Sequence, residues 1–297
     1  MSGLCHGNIA FVIGRIITPT GLFIVFPFYR GGDLYTMLER QPAGRFVPET
    51  VQNVGSQIMA GVSFMHEKGV VHRDLKIENI MIDTDGMIRI VDFGVSKQLD
   101  GKGDRCHTIT GTPQYMSPEL LFGSAYAHPV DQWAVGVVLY ELLTGGSPFF
   151  LVEDYQYSGS FKSSFKIVAK RVKRYRRVCS RYSSPHRLIR HTLRELEPYF
   201  TRKPGSLEHN VADLIIKLLS VRPNARPDGL KLFQHSFFSA SSPTKIPLTT
   251  RSTGSNSNSF GGIKSSSKKD SMKKKTSTEN FDDFGSVSTR EFFYGKE

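Results

Sequence analysis

His72-Arg73-Asp74-Leu75-Lys76-Ile77-Glu78-Asn79 crowds two acids, a lysine and an amide into one short polar run. The run lies between short apolar pieces. From residue 70 to residue 93 such pieces alternate with turn residues, among them Asp83-Thr84-Asp85-Gly86, a pattern of small strands and loops. The polar side chains therefore stand on loops that strands position. Three more motifs follow in order: Asp92-Phe93-Gly94, Ser117-Pro118-Glu119 and Asp131-Gln132-Trp133. Each alone is a weak signal; all four in this order and spacing are specific.

Outward from these motifs the chain reads as a mixed but mainly helical domain. Apolar stretches at 9–17 and 22–28, separated by Thr18-Pro19-Thr20-Gly21, predict two strands around a turn. Gly31-Gly32 precedes a short helix over 33–40, with Asp33 as its N-cap. A second helix starts near Pro48, and Val51, Val54, Ile58, Met59, Val62 and Met65 give it one buried face. Residues 129–144 are apolar almost all round, which places that helix in the middle of a domain. Shorter helices are expected over 211–221 and 227–235. From 239 to about 280 the chain is rich in Ser, Thr, Lys, Gly and Asn, a composition expected to stay disordered.

Composition excludes several classes. At 297 residues there is length for a substantial core. Cys5, Cys106 and Cys179 are odd in number and scattered, so reduced thiols in a cytoplasmic or nuclear setting are expected, with no disulfide framework or zinc cage. No apolar run is long enough to span a bilayer, and Met1-Ser2-Gly3-Leu4 opens no secretory signal. The net charge of +12 is local: residues 162–203 hold 14 Lys/Arg against Glu195 and Glu197, and 25 basic and 25 acidic residues remain elsewhere.

The ordered motifs resemble those of eukaryotic serine/threonine protein kinases, over roughly residues 6–150 and 206–238. That resemblance implies an α+β fold: a mainly helical large lobe at 30–238, only a two-strand remnant of the small lobe at 1–29, and a disordered tail at 239–297. It implies phosphoryl transfer from ATP with Mg2+ to a Ser or Thr of a protein. Phosphoryl transfer needs positioning and charge neutralisation more than covalent help. By resemblance Asp74 accepts the substrate hydroxyl's hydrogen bond and Lys76 reaches the same phosphate. Asn79 and Asp92 offer the hard oxygens that magnesium prefers, and Gly94 permits the bend that turns Asp92 inward. Phe28 and Asp33 belong to the nucleotide-binding positions. His72 and Phe93 are read as packing residues, Asp131 as an acceptor for catalytic-loop N–H groups, and Glu119 as the partner of Arg226.

Thr108-Ile109-Thr110-Gly111-Thr112-Pro113-Gln114-Tyr115 and Gly31-Gly32-Asp33-Leu34-Tyr35 are similar to the AGC group, near the cyclic-nucleotide-dependent kinases. This implies an activating phosphate on Thr108, facing Arg73 and Lys97. It implies contacts of Thr112 with the catalytic Asp and Lys, and a role for Glu78 in selecting substrates with basic residues near the target Ser/Thr. The sequence departs from the family in having no glycine-rich loop and no strand lysine paired with a helix glutamate. Two strands alone are marginal and have open edges. Three explanations stand: a truncated product of an active kinase, which the intact Asp74, Lys76, Asn79 and Asp92 favour; a catalytically inactive pseudokinase scaffold; or a separate polypeptide supplying the rest.

Residues 151–204 depart from the family as a basic insert, and an in-frame intron is one origin. Phe161, Phe165, Val168, Val172 and Tyr175 recur at helical spacing with Lys/Arg on the other faces. Such a helix could bind an acidic partner such as calmodulin or an anionic membrane, or dock its stripe on the large lobe. With few interleaved aromatics, it predicts no specific nucleic-acid binding. In the tail, Phe281 to Tyr294 is similar to the aromatic AGC tail, and Lys268-Lys269 with Lys273-Lys274-Lys275 forms a candidate nuclear signal.

Overall fold

Helix α4 (Pro129–Thr144) is buried on every side from Val130 to Leu143, because almost nothing in its sequence requires water. It ends where Gly145 takes a left-handed conformation (φ 83°) that closes the helix through its N–H to Glu141. The computed structural model describes residues 4–239 except 102, 158 and 183, and only the backbone of 152, 155, 157 and 230. The aromatic tail motif and the lysine clusters of the tail lie outside the described residues. All described residues belong to one compact unit.

Two helices pack on α4. Helix α2 (Pro48–Glu67) buries the six residues its periodicity singles out, and α8 (Leu207–Leu218) covers another side. Where α2 meets α4, a side chain at Gly55 would collide with Leu139 and Phe237, so only glycine allows this approach. Helix α1 (Leu34–Glu39) is capped as expected: Asp33 Oδ1 accepts the N–H of Thr36 at 2.7 Å.

Three small two-stranded sheets are present among the described residues. β1 (Gly14–Thr18) pairs with β2 (Gly21–Val25), β3 (Val70–Val71) with β6 (Lys97–Gln98), and β4 (Ile80–Ile82) with β5 (Ile88–Ile90), all antiparallel. The expected strands at 9–17 and 22–28 are shorter than their apolar runs. Residues 8–10 instead join the large-lobe sheet, where Ala10 N–H donates to Ile90 O at 2.9 Å and Ile90 N–H to Asn8 O at 2.9 Å. Ile9 and Ala10 are buried by this, whereas Ile17 and Phe28 are 74% and 85% exposed.

The basic insert folds as α5 (Phe161–Arg181) and α6 (Pro185–Thr192). Val168, Val172 and Tyr175 are buried, so the stripe docks on the lobe and is not free to enter a partner's groove as a calmodulin-type helix would. Tyr175 stacks edge-on against Trp133 and Phe149 and donates to Leu219 O at 2.8 Å. Phe161 extends beyond the lobe and is exposed, while Phe165 is partly buried. Among the described residues no helix is long and apolar enough to cross a membrane.

Candidate active site

The topology brings the two polar loops together. The chain leaves β3 into residues 72–79 and enters β4; it leaves β5 into 92–94 and enters β6. Asp131, at the start of the central helix, fixes the first loop. Its Oδ2 accepts His72 N–H at 2.8 Å and its Oδ1 accepts Arg73 N–H at 2.9 Å, while His66 Nε2 lies 2.8 Å from Oδ2. Burial by itself would raise the Asp131 carboxyl, but the His66 contact and the backbone donors hold it below the usual range. Arg73 accordingly sits at φ 71°, a strained conformation for a residue with a side chain. His72 is fully buried and meets Phe93 edge-on at 4.9 Å, both acting as packing residues.

Asp74 is held by three neighbours. Its Oδ1 accepts the Thr112 N–H at 2.8 Å and the Thr112 hydroxyl at 2.7 Å. Its Oδ2 lies 3.4 Å from Lys76 Nζ and accepts a weaker bond from Asn79 Nδ2 at 3.3 Å. Lys76 Nζ also donates to Thr112 Oγ1 at 3.1 Å, closing a triangle of Asp74, Lys76 and Thr112. Gly111 makes this possible: at φ 96° its α-carbon packs against the Arg73 carbonyl, where any side chain would clash.

Asn79 and Asp92 come together because Val91 N–H donates to Asn79 O at 3.0 Å. The Asn79 amide nitrogen is engaged by the Asp74 carbonyl at 2.9 Å, which orients its other end, the amide oxygen, away from that bond. Asp92 stands at φ 63°, exposed, with Gly94 N–H at 3.2 Å from its Oδ1. One carboxylate and one amide oxygen, completed by phosphate and water, form a donor set suited to magnesium. Among the described residues no cluster of three or more His, Cys, Asp or Glu could hold a metal.

Of the positions expected to bind nucleotide, Asp33 caps α1, and its charge reaches Glu78. Phe28 stands exposed next to the hairpin of β1 and β2. Thr108 is exposed on the loop. Its carbonyl accepts the Tyr126 hydroxyl at 2.6 Å, and Arg73 Nη1 reaches the same hydroxyl at 3.4 Å. Arg73 is therefore one side chain away from Thr108.

Sequence reasoning missed Glu141. It lies inside α4, buried, accepting the Tyr115 hydroxyl at 2.7 Å. Burial first, and then the charge of Glu78, push its carboxyl up to about 8. Glu78 is raised as well, mainly by desolvation of its carboxyl and partly by Asp74 and Asp33, with Lys76 opposing. Ile77, next to Glu78, lines a cleft of about 1010 Å³ with Glu141, Tyr35, Phe150 and the insert residues Arg171 and Arg174. The available signal was a carboxylate deep inside a mainly apolar helix, a costly placement unless it has a use.

Comparison with known proteins agrees with this geometry. The sequence pattern of the protein kinase domain matches residues 1–238. Atypical protein kinase C of Drosophila melanogaster is 44% identical over 134 residues, 45% of this chain and 22% of that protein. Protein kinase C zeta type of Oryctolagus cuniculus is 40% identical over 138 residues, 46% and 23% of the two chains. Protein kinase C delta type of Mus musculus is 46% identical over 133 residues, 44% and 19%. The matches span under a quarter of the length of these relatives. The chain belongs to the protein kinase domain family, and its relatives place it with the serine/threonine kinases of the AGC group.

Proposed function

We propose that this protein transfers the γ-phosphoryl group of Mg-ATP to serine or threonine of protein substrates that carry basic residues near the acceptor. The observation that carries this reading is the Asp74–Lys76–Thr112 triangle beside Asn79 and Asp92. An inactive scaffold would have no use for that arrangement, so the pseudokinase alternative is disfavoured.

Mg-ATP, when bound, supplies the phosphoryl group and the metal charge that neutralises it. The protein's own residues do the positioning. Asp74 Oδ1 is held by Thr112, and Oδ2, which has only the longer contacts with Asn79 and Lys76, can also accept the acceptor hydroxyl's hydrogen bond and aim its oxygen. Lys76 sets a positive charge beside that carboxylate. Asn79 and Asp92 would hold the metal. Asp131 keeps the loop in place through its backbone.

Glu78 and Glu141 give the substrate preference. The Glu141 carboxyl, pushed up to about 8 by burial, is mostly neutral at pH 7, and an Arg or Lys side chain brought into the cleft that it lines restores the charged form. Thr108 is the activating phosphosite in this reading. A phosphate there gains Arg73 as a charge-assisted partner and orders the loop that carries Gly111 and Thr112. The insert supplies a separate surface for an anionic partner.

Transfer of labelled phosphate from ATP to paired Ser, Thr and Tyr peptides, with and without upstream arginine, tests this. Asp74→Asn should lose at least a hundredfold in kcat with KM for peptide little changed. Magnesium-independent activity, or equal use of tyrosine, contradicts the reading.

A further inference from the structure

Six of the nine cations of α5 share one side of the helix, and Arg171, Arg174 and Arg176 lie outside that arc. Lys162, Lys166, Lys170, Lys173, Arg177 and Arg181 are all exposed. At 100° per residue these six fall within an arc of about 100° along the helix. Ser164, Val168, Val172 and Tyr175, the buried residues, lie on the opposite side. The stripe runs about 28 Å at 1.5 Å per residue. Helix α5 contains no acidic residue, and its one ion pair among the described residues is Arg171 with Asp154 at 2.7 Å, off the stripe. The six side chains make no ion pair among the described residues. The helix is also anchored: its apolar face is packed against the turn Pro113–Tyr115 and against α3 (Pro118–Leu121), and Arg176 lies over the Phe122 ring at 4.9 Å.

Each anionic occupant makes different demands. A partner protein that grips an amphipathic helix needs its apolar anchors, and here Val168, Val172 and Tyr175 are inside the lobe, leaving only Phe161 exposed. Single-stranded nucleic acid needs aromatic platforms for stacking, and the stripe has none. The cleft lined by Arg171 and Arg174 opens beside the stripe, but none of the six stripe residues lines it, and a ridge of cations outside a groove suits a flat surface. We propose that α5 is an electrostatic docking face for the anionic headgroups of a lipid bilayer, held at the surface without insertion. The proposal rests on reading the insert as the site of an anionic partner and is independent of phosphotransfer. Each basic residue near such a surface adds to the attraction, and salt screens it.

The test is co-sedimentation of the full chain with phosphatidylcholine vesicles containing roughly a third phosphatidylserine, in parallel with polyglutamate and a mixed-sequence RNA. One variant changes the six stripe residues to Gln. A matched variant changes Lys264, Lys268, Lys269, Lys273, Lys274 and Lys275, in the tail outside the described residues, to Gln. The expected result is binding to phosphatidylserine vesicles only, reduced at least a hundredfold in the stripe variant and less than threefold in the tail variant. If the stripe variant fails to fold by circular dichroism, the wild-type chain still decides: its vesicle affinity should fall at least tenfold between roughly 50 and 300 mM salt. Absent vesicle binding, equal loss from both variants, or salt-insensitive binding overturns the proposal. Binding of polyglutamate or RNA through the stripe, with vesicles ignored, overturns the lipid assignment while leaving the anionic-partner reading standing. Failure with all three ligands removes both.

Discussion

Glu119→Gln is the perturbation with the best-defined expected cost. Glu119 lies in the first turn of α3, at the far end of the segment that carries Thr112, and meets Arg226 in a two-pronged pair with Nη1–Oε1 at 2.6 Å and Nη2–Oε2 at 2.8 Å. The Arg226 side chain is completely buried and that of Glu119 is 9% exposed. The guanidinium is otherwise spent on Ser220 O at 2.9 Å and Pro129 O at 2.7 Å, and lies 5.2 Å from the Trp133 ring. Removing the carboxylate strands a buried cation, and breaking such a pair costs about 3–5 kcal/mol. Arg226→Met strands the carboxylate, which is slightly less buried, and should cost somewhat less. The double variant leaves no unpaired charge, so its loss should fall short of the sum of the singles by at least about 2 kcal/mol. Urea unfolding followed by tryptophan emission is the assay, because Trp133 is the chain's single tryptophan and sits against Arg226. Single losses under about 1 kcal/mol, or strict additivity, would refute the argument that this pair is held in a desolvated site.

Other outcomes follow from particular contacts. Tyr175→Phe leaves the Leu219 carbonyl without its 2.8 Å donor and should cost about 1–3 kcal/mol in the same unfolding assay. Gly111→Ala should abolish peptide phosphorylation, because a methyl group there meets the Arg73 carbonyl and displaces Thr112; circular dichroism should show an intact fold. Glu141 gives a signed pH effect: its folded pKa, about 8, lies above the ordinary 4.5, so the unfolded chain releases that proton first as pH rises. Its contribution to stability is therefore present below about pH 4.5 and is lost between there and about 8, on the order of a few kcal/mol. Glu141→Gln should flatten that slope in urea titrations at pH 5 to 8; an unchanged slope would show that Glu141 is not held neutral.

Much of this site was legible because it is local. Asp74, Lys76 and Asn79 share one loop, and Asp92 reaches them through a single hairpin, so spacing alone nearly assembles them. The uniformly apolar α4 and the Asp33 cap were readable for the same reason: each depends on its own neighbours in sequence. Glu141 was hidden because its meaning comes from Tyr115 and Glu78, which are distant in sequence. The strand ends were misjudged because apolar character at residues 9–13 does not say which sheet they join; contact with Ile90 decides that. The insert's helix was plain from periodicity, but whether its stripe faces a partner or its own lobe depends on Trp133 and Phe149, which periodicity cannot report.

Asp131 links the catalytic loop to the most deeply packed helix of the molecule through two backbone hydrogen bonds. The loop should therefore show no melting transition of its own. On heating, His72 and Arg73 keep their places until α4 itself gives way, whereas the exposed stretch around Thr108 can loosen earlier. Thermal inactivation should then proceed in two stages, an early and reversible one in the segment around Thr108 and a late one that coincides with loss of the core.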